Sequence, residues 1–218
     1  MSVFHPRDTI RAWARHTYGQ AMRLQDQVYV PIPKVGSTWC KQLWHGAQDI
    51  NFKIHDVKHL THVVILRNPI ERWIAGFAQC QVGNDPACHD HWERLGWQWV
   101  FDQMVFDNHT EPQVSFIDGV DLDRVIWFRL ENNVENAMTH YLFENFGIDR
   151  RGMNVDRYRG VDQPAPIFKN LPGRSQADLQ RMAREALATI PGARQRTEDF
   201  YKEDIELYNS VKYLNKEQ

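Results

Sequence analysis

The segment Val28-Tyr-Val-Pro-Ile-Pro-Lys-Val-Gly-Ser-Thr-Trp39 constrains this chain most. An apolar β-branched run breaks at a Pro/Gly turn and resumes as a helix that opens with Lys, Ser, Thr and Trp. Strand, turn and helix in that order are the layout of a phosphate-binding loop. The spacing turns the backbone N–H groups of Val35, Gly36, Ser37 and Thr38 outward where the helix begins, with the positive end of the helix dipole behind them. Gly36 permits the tight turn and the close approach of an anion, Lys34 adds a full positive charge, and the two hydroxyls add donors.

The loop is not of the kinase type. In GxxxxGK[ST] the Lys follows the second Gly and directly precedes the hydroxyl residue that holds magnesium; here Lys34 precedes Gly36. A second buried-strand pattern stands downstream in His62-Val-Val-Ile-Leu-Arg-Asn-Pro-Ile-Glu-Arg-Trp73, with Arg67 at its end and Pro69 in the first turn of the helix that follows. Such a strand carries its guanidinium to the C-terminal edge of a sheet. Open parallel α/β sheets bind ligands at that edge, and a guanidinium there suits a phosphate.

The strings P-K-x-G-[ST]-T-W around Lys34 and R-[DN]-P-x-E-R from Arg67 resemble the 5′- and 3′-phosphate motifs of the sulfotransferases that use 3′-phosphoadenosine 5′-phosphosulfate. They are closer to the carbohydrate (Golgi-type) members than to the steroid and phenol type. The resemblance implies an α/β fold, a three-layer α/β/α sandwich with a mainly parallel sheet related to the P-loop nucleotide hydrolases, formed as one domain over residues 1–218. It implies transfer of a sulfuryl group to a hydroxyl acceptor, a carbohydrate or a small molecule, with 3′-phosphoadenosine 5′-phosphate as product and no metal. Lys34 then meets charge on the leaving phosphate, Ser37 restrains Lys34, Val35, Gly36 and Thr38 hold the 5′-phosphate, Trp39 stacks on adenine, and Arg67 takes the 3′-phosphate. The family's serine at the 3′-phosphate is Ala75 here, the loss of a hydrogen bond worth about 1.5–3 kcal/mol. Arg72, Gln79 and the segment 168–175 with Lys169 and Arg174, which resembles the family's loose nucleotide-binding stretch, are the candidates to replace it. Two other readings stay open: an inert nucleotide-binding module of the same fold, and a small-molecule kinase.

Sulfuryl transfer also needs a group to take the acceptor's proton, and histidine has the pKa for it. His55 follows a short strand expected near Ile50–Ile54, which places it at the sheet edge of Lys34 and Arg67, and it resembles the Lys-x-His of cytosolic sulfotransferases. His109, in Asp107-Asn-His-Thr-Glu-Pro-Gln113, resembles the [DN]-x-H-x-x-P segment of the carbohydrate enzymes. His55 is preferred, because strand ends fix catalytic groups better than loops do.

Composition narrows the rest. The chain has 218 residues, 42% apolar, enough for one substantial core, and a formal net charge of −2, which gives no basic field for nucleic acid. No apolar stretch reaches membrane-span length, and three cysteines form no even disulfide framework, so a reduced, cytoplasmic setting is expected. Cys80, Cys88, His89 and His91 match no standard zinc spacing, and residues 83–90 read as a polar loop. Further helices are expected over residues 7–24, 37–48, 91–106, 131–146, 176–190 and 197–210, with a strand within 123–129. In the Trp-rich segment Trp92, Leu95, Trp99, Val100 and Met104 share a helical stripe that reads as core. Trp97 falls off the stripe and reads as a substrate platform. The ending Tyr201-x-x-Asp204-x-x-Leu207-Tyr208 is similar to the family's structural Y-x-x-D-x-x-L-[YF] helix.

Overall fold

A computed structural model describes residues 19–52, 55–83, 86–149 and 175–215, without the side chains of 82–91. In chain order the elements are β1 (Gln20–Leu24), β2 (Gln27–Val30), α1 (Ser37–Leu43), β3 (Gln48–Asn51), β4 (Thr61–Leu66), α2 (Pro69–Gly83), α3 (Pro86–Gln103), β5 (Val125–Arg129), α4 (Val134–Phe146), α5 (Gln176–Thr189), α6 (Ala193–Phe200) and α7 (Lys202–Ser210). The sheet order is β3-β1-β2-β4-β5. β2, β4 and β5 are parallel, in the register Val30 to Val64 to Trp127, while β1 runs antiparallel to both its neighbours. The fold is therefore mixed α/β on a five-stranded sheet. β2 and β4 read as unbroken apolar runs because their residues are buried on both faces.

The chain divides into two compact units. Among the described residues, a sheet unit draws on 19–67, 113–149 and 208–215, and a helical unit on 68–112 and 175–207. In the sheet unit, Tyr29 of β2 stacks on Trp44 at 5.5 Å, Trp44 meets Phe146 edge-on at 6.2 Å, and Phe128 of β5 meets Tyr141 at 5.5 Å. These rings seat the end of α1 and the inner face of α4 on the sheet. The Tyr141 hydroxyl also donates to Gln27.

In the helical unit α2 packs on α5, α3 and α6 lie against their neighbours, and a layer of rings fills the interior. Trp73 stacks on Phe77 at 5.9 Å and on Phe101 at 5.8 Å, and Phe77 meets Trp92 at 5.4 Å. Leu179, Ala183, Ala186 and Leu187 supply the facing stripe of α5. That helix opens with a capping box between Ser175 and Asp178 and is tied to α2 by Arg184 and Glu71 at 2.7 Å.

Several expectations are corrected. Residues 20–24 form β1 rather than the end of a helix; residues 7–18 lie outside the described ones. Ala, Met and Leu favour helix, but β1 gains ladder bonds on both flanks and is fed into β2 by a hairpin with Gln25 at φ 54°, so pairing overrides propensity. α1 ends at Leu43 instead of residue 48, because Trp44 leaves the helix and Gly46 turns at φ 91°. β3 lies earlier than the strand expected near Ile50–Ile54, and Lys53 and Ile54 are not among the described residues. Within the expected loop 83–90, Pro86 begins α3, as suits a proline at a first helical position. Trp97 is no exposed platform: it packs on Phe77 at 5.2 Å, Trp92 at 5.4 Å and Phe101 at 5.8 Å. The cause is Gly96, at φ 68° and ψ −164°, which resets the helical phase inside α3, turns Trp97 inward and leaves Leu95 47% exposed. Among the described residues no helix is long and apolar enough to cross a membrane.

Candidate functional site: cationic strand ends in the sheet unit

β2 leaves the sheet at Val30 and reaches Lys34 through Pro31-Ile-Pro33, with Ile32 fully buried. Lys34 stands at φ 67°, in the left-handed region that an L residue enters at a cost of roughly 1–2 kcal/mol. Val35 is fully buried and anchors the turn. Gly36 follows at φ 81° as the N-cap of α1, its carbonyl accepting from the Cys40 amide at 3.0 Å. A Cβ at Gly36 would lie 3.4 Å from Leu130 Cδ1, ordinary contact, so the glycine is required by its backbone angle and not by space. Lys34, Ser37 and Trp39 are half-buried and Thr38 is exposed.

What holds the left-handed lysine is visible from its carbonyl. Arg67, just past the end of β4, donates to it through Nη1 at 3.2 Å. The two cations of the two sequence motifs are thereby brought to neighbouring parallel strand ends and tied through main chain. Arg67 is itself fixed from behind. Its amide donates to Gln113 Oε1 at 3.0 Å, and Gln113 Nε2 returns a bond to its carbonyl at 2.9 Å. Gln113 is fully buried, and its side chain continues the ladder for one step where β4 runs out of partner. Sequence reasoning passed over Gln113, because its contact with Arg67 joins distant parts of the chain.

It also passed over Arg129, which ends β5 opposite Leu66. Three adjacent parallel strands thus end in, or lead to, a cation. The Arg129 guanidinium lies over the rings of Tyr208 at 4.4 Å and Tyr213 at 5.4 Å, and Nε donates to the Tyr208 hydroxyl, which donates on to Glu131 at 3.2 Å. Burial opposes its charge, yet these partners hold its pKa above the ordinary value. Asn215 locks the main chain beneath, accepting from the Arg129 amide at 2.8 Å and donating to the carbonyls of Arg129 at 2.7 Å and Asn132 at 2.9 Å. The Tyr208 end of the Y-x-x-D-x-x-L-Y helix is therefore structural. A terminal strand-Arg in Val-Ile-Trp-Phe-Arg129 was the available signal.

His55 belongs to the same unit, but the sheet order puts β3 at the outer edge, beyond β1 from β2. It is exposed, and its ring Nδ1 and its amide turn back onto the Asn51 carbonyl at 2.8 Å and 3.0 Å.

The remaining described candidates belong to the helical unit. Ala75 is buried in α2 of the helical unit, and Gln79, half-buried there, accepts from Gln176 at 3.4 Å. Arg72 is fully buried and donates to the Glu111 carbonyl at 2.5 Å and the Asn108 carbonyl at 3.3 Å, so its guanidinium holds main chain. His109 sits in that same loop with Nδ1 2.8 Å from Asp107 Oδ2, and its amide donates to Asp107 Oδ1 at 2.8 Å. Burial works against the Asp107 charge, but the bonds and charge of His109, with a bond from Cys80, keep its carboxyl below the usual range. Lys169 and Arg174 lie outside the described residues. Among the described residues, no cluster of His, Cys, Asp and Glu is arranged to hold a metal.

No family model, curated protein or solved structure matches the chain.

Proposed function

We propose that the chain is a sulfotransferase: the sheet unit binds 3′-phosphoadenosine 5′-phosphosulfate at the Lys34 loop and Arg67, and the sulfuryl group passes to a hydroxyl acceptor. The observation that carries this reading is the 3.2 Å bond from Arg67 Nη1 to the Lys34 carbonyl, which pairs the cations of both motifs at adjacent strand ends. A left-handed lysine supports it, since strained backbone persists where surrounding structure over-determines it and concentrates at ligand sites. The loop fits an anion by its glycine angle, its cations and the hydroxyls of Ser37 and Thr38. The donor supplies an activated sulfuryl group and a phosphate leaving group. Lys34 supplies positive charge where the leaving oxygen gains negative charge, and positioned charge is the largest contribution in such transfers. Thr38 and the loop amides hold one phosphate, Arg67 the other, and Trp39 offers its ring to the base.

The finer fold belongs to this reading: a three-layer α/β/α sandwich of the sulfotransferase type over residues 1–218, with a cytoplasmic location. The parallel trio β2, β4 and β5 supports it. His55 is the proton acceptor on the sheet unit and His109 its rival. An inert nucleotide-binding module and a small-molecule kinase are the competing functions.

Calorimetric titration decides among them. 3′-Phosphoadenosine 5′-phosphate should bind without added metal and raise the melting temperature by mass action, with Mg-ATP doing much less. Equal or tighter binding of Mg-ATP would replace the reading by the kinase. Nucleotide binding without turnover over a wide screen of sugars and alcohols would leave the inert module.

A further inference from the structure

Two side-chain amides in the sheet unit perform one task. Gln113 brackets the main chain of Arg67, accepting from its amide at 3.0 Å and donating to its carbonyl at 2.9 Å. Asn215 brackets the main chain of Arg129 in the same way, at 2.8 Å and 2.7 Å. Alternation along the strands explains the need. The Leu66 carbonyl accepts from the Leu130 amide across the pair of β4 and β5, so the amide and carbonyl of Arg129, one residue earlier, face away from β4. Asn215 closes that outer edge at the last residue of β5.

Asn215 belongs to a short strap laid along β5. Tyr213 bridges Trp127 in parallel, the Leu214 amide donates to the Trp127 carbonyl at 2.8 Å, and the Tyr213 hydroxyl ties the root of the strap to the Tyr208 carbonyl at 2.7 Å. Leu214 is 57% exposed, so hydrogen bonds rather than apolar burial of that side chain hold the strap there. Asn215 Nδ2 donates a second time, to the Asn132 carbonyl at 2.9 Å, and Asn132 Nδ2 returns a bond to the Asn215 carbonyl at 3.0 Å. One buried side chain thus grips both ends of the turn from Arg129 to Asn132. A strap that only covered the strand edge would need main-chain pairing alone, which Leu214 supplies. Inside the gripped turn stands Leu130, and a Cβ built on Gly36 would lie 3.4 Å from its Cδ1. The strap therefore holds a turn whose apolar side chain rests on the glycine of the Lys34 loop.

We propose that Asn215 is a positioning residue for the anion-binding loop: it fixes the Arg129–Asn132 turn, the turn fixes Leu130, and Leu130 keeps Gly36 and the amides after it in place. Binding of a phosphate-bearing ligand at the loop and attachment of the strap then favour one another, because a coupling between two sites works in both directions. The proposal rests on the reading of the Lys34 loop as an anion site, whatever group is transferred there.

The test uses the full chain and the variants Asn215→Ala, Asn215→Asp, Leu130→Ala, Tyr213→Phe and Asn215→Asp combined with Leu130→Ala. Amide exchange by NMR at Cys40, whose amide is bound to the Gly36 carbonyl, reports the loop, and the buried Val64 in β4 reports global opening. Calorimetric titration with 3′-phosphoadenosine 5′-phosphate reports the site. Asn215→Asp keeps the volume and the acceptor but donates to neither carbonyl. It should speed exchange at Cys40 relative to Val64 and weaken the nucleotide by about 10-fold, and Asn215→Ala should do the same without an added charge. With Leu130 already replaced, Asn215→Asp should change affinity by less than about twofold, because the link is cut; a through-space effect of the new carboxylate would persist there. Tyr213→Phe loosens the strap and keeps the ring, so it should give a smaller loss in the same direction even where the Asn215 variants unfold. Cys40 exchange that moves only in step with Val64 in Asn215→Ala and Tyr213→Phe, or equal losses with and without Leu130, would overturn the proposal. A wild type that binds no nucleotide would remove the sulfuryl-transfer reading, and exchange at Cys40 in the free chain would still decide whether the strap fixes the loop.

Discussion

Arg67 in the sheet unit is half-buried and donates to the carbonyl of a strained loop lysine, whereas Arg72 in the helical unit is fully buried and donates to the carbonyls of Asn108 and Glu111. Both come from one short string, Arg67-Asn-Pro-Ile-Glu-Arg72. The same fork of donors thus serves once at a strand end, where charge stays near solvent, and once as an interior brace, where it is spent on main chain. Chemical type alone does not assign a role; the acceptor and the burial do.

The sharpest way to break this contrast is to remove each head group. Arg72→Met should cost about 3–5 kcal/mol in urea unfolding, because buried acids such as Asp204 lose their counter-charge. Arg67→Met should leave unfolding within about 1 kcal/mol and instead weaken 3′-phosphoadenosine 5′-phosphate binding by about 1.5–3 kcal/mol. Equal stability losses in the two variants would erase the distinction.

A smaller effect separates the glycines of the two units. Gly76→Ala drives a methyl to 2.3 Å from the His109 carbonyl and should cost about 1–3 kcal/mol or more as overpacking. Gly36→Ala meets no such overlap and should cost only the left-handed angle, about 1–2 kcal/mol. Thermal unfolding of both variants ranks them, and a greater loss for Gly36→Ala would contradict the description of the Asp107–Glu111 turn.

Acid should expose the Asp107 pair next. The Asp107 carboxyl is held below its unfolded value near about 3.9, so its stabilisation is fully present above that value and is lost as pH falls through the lower folded pKa. Urea stabilities of wild type and Asp107→Asn should differ above about pH 5 and converge in acid. A difference that persists to the lowest pH would mean that the carboxylate charge contributes nothing there.

The smallest expected stability change is at Lys34. Lys34→Gly relieves the positive φ and adds chain entropy to the unfolded state, two effects of about 1 kcal/mol each that oppose one another, so unfolding should move by under about 1 kcal/mol. Nucleotide affinity and kcat should nevertheless fall steeply. Full turnover in Lys34→Gly and Lys34→Ala would remove Lys34 from the mechanism.

How much was legible follows from what is local. β2, β4 and the start of α2 could be read because burial on both faces writes an unbroken apolar run and Pro69 marks a helix start. The strand-end placement of Arg67 followed from the same pattern. β1 could not be read, because its helix-forming residues are overruled by partners on either side. Trp97 was misplaced because counting by helical period through Gly96 carries the wrong phase. Gln113 behind Arg67 and the interior fate of Arg72 depend on pairings between distant residues that no local spacing encodes.

Gly96 has one more consequence, and it concerns time rather than shape. Its φ 68° and ψ −164° belong to a region that essentially glycine alone occupies, and they interrupt the amide ladder inside α3. A continuous helix opens and closes as one cooperative stretch, but a ladder cut in the middle gives two stretches with separate opening free energies. The turn before Gly96 and the turn after it, which carries the buried Val100 and Phe101, should therefore exchange their amide hydrogens in two distinct classes. α3 is one element by its outline and two by its clock.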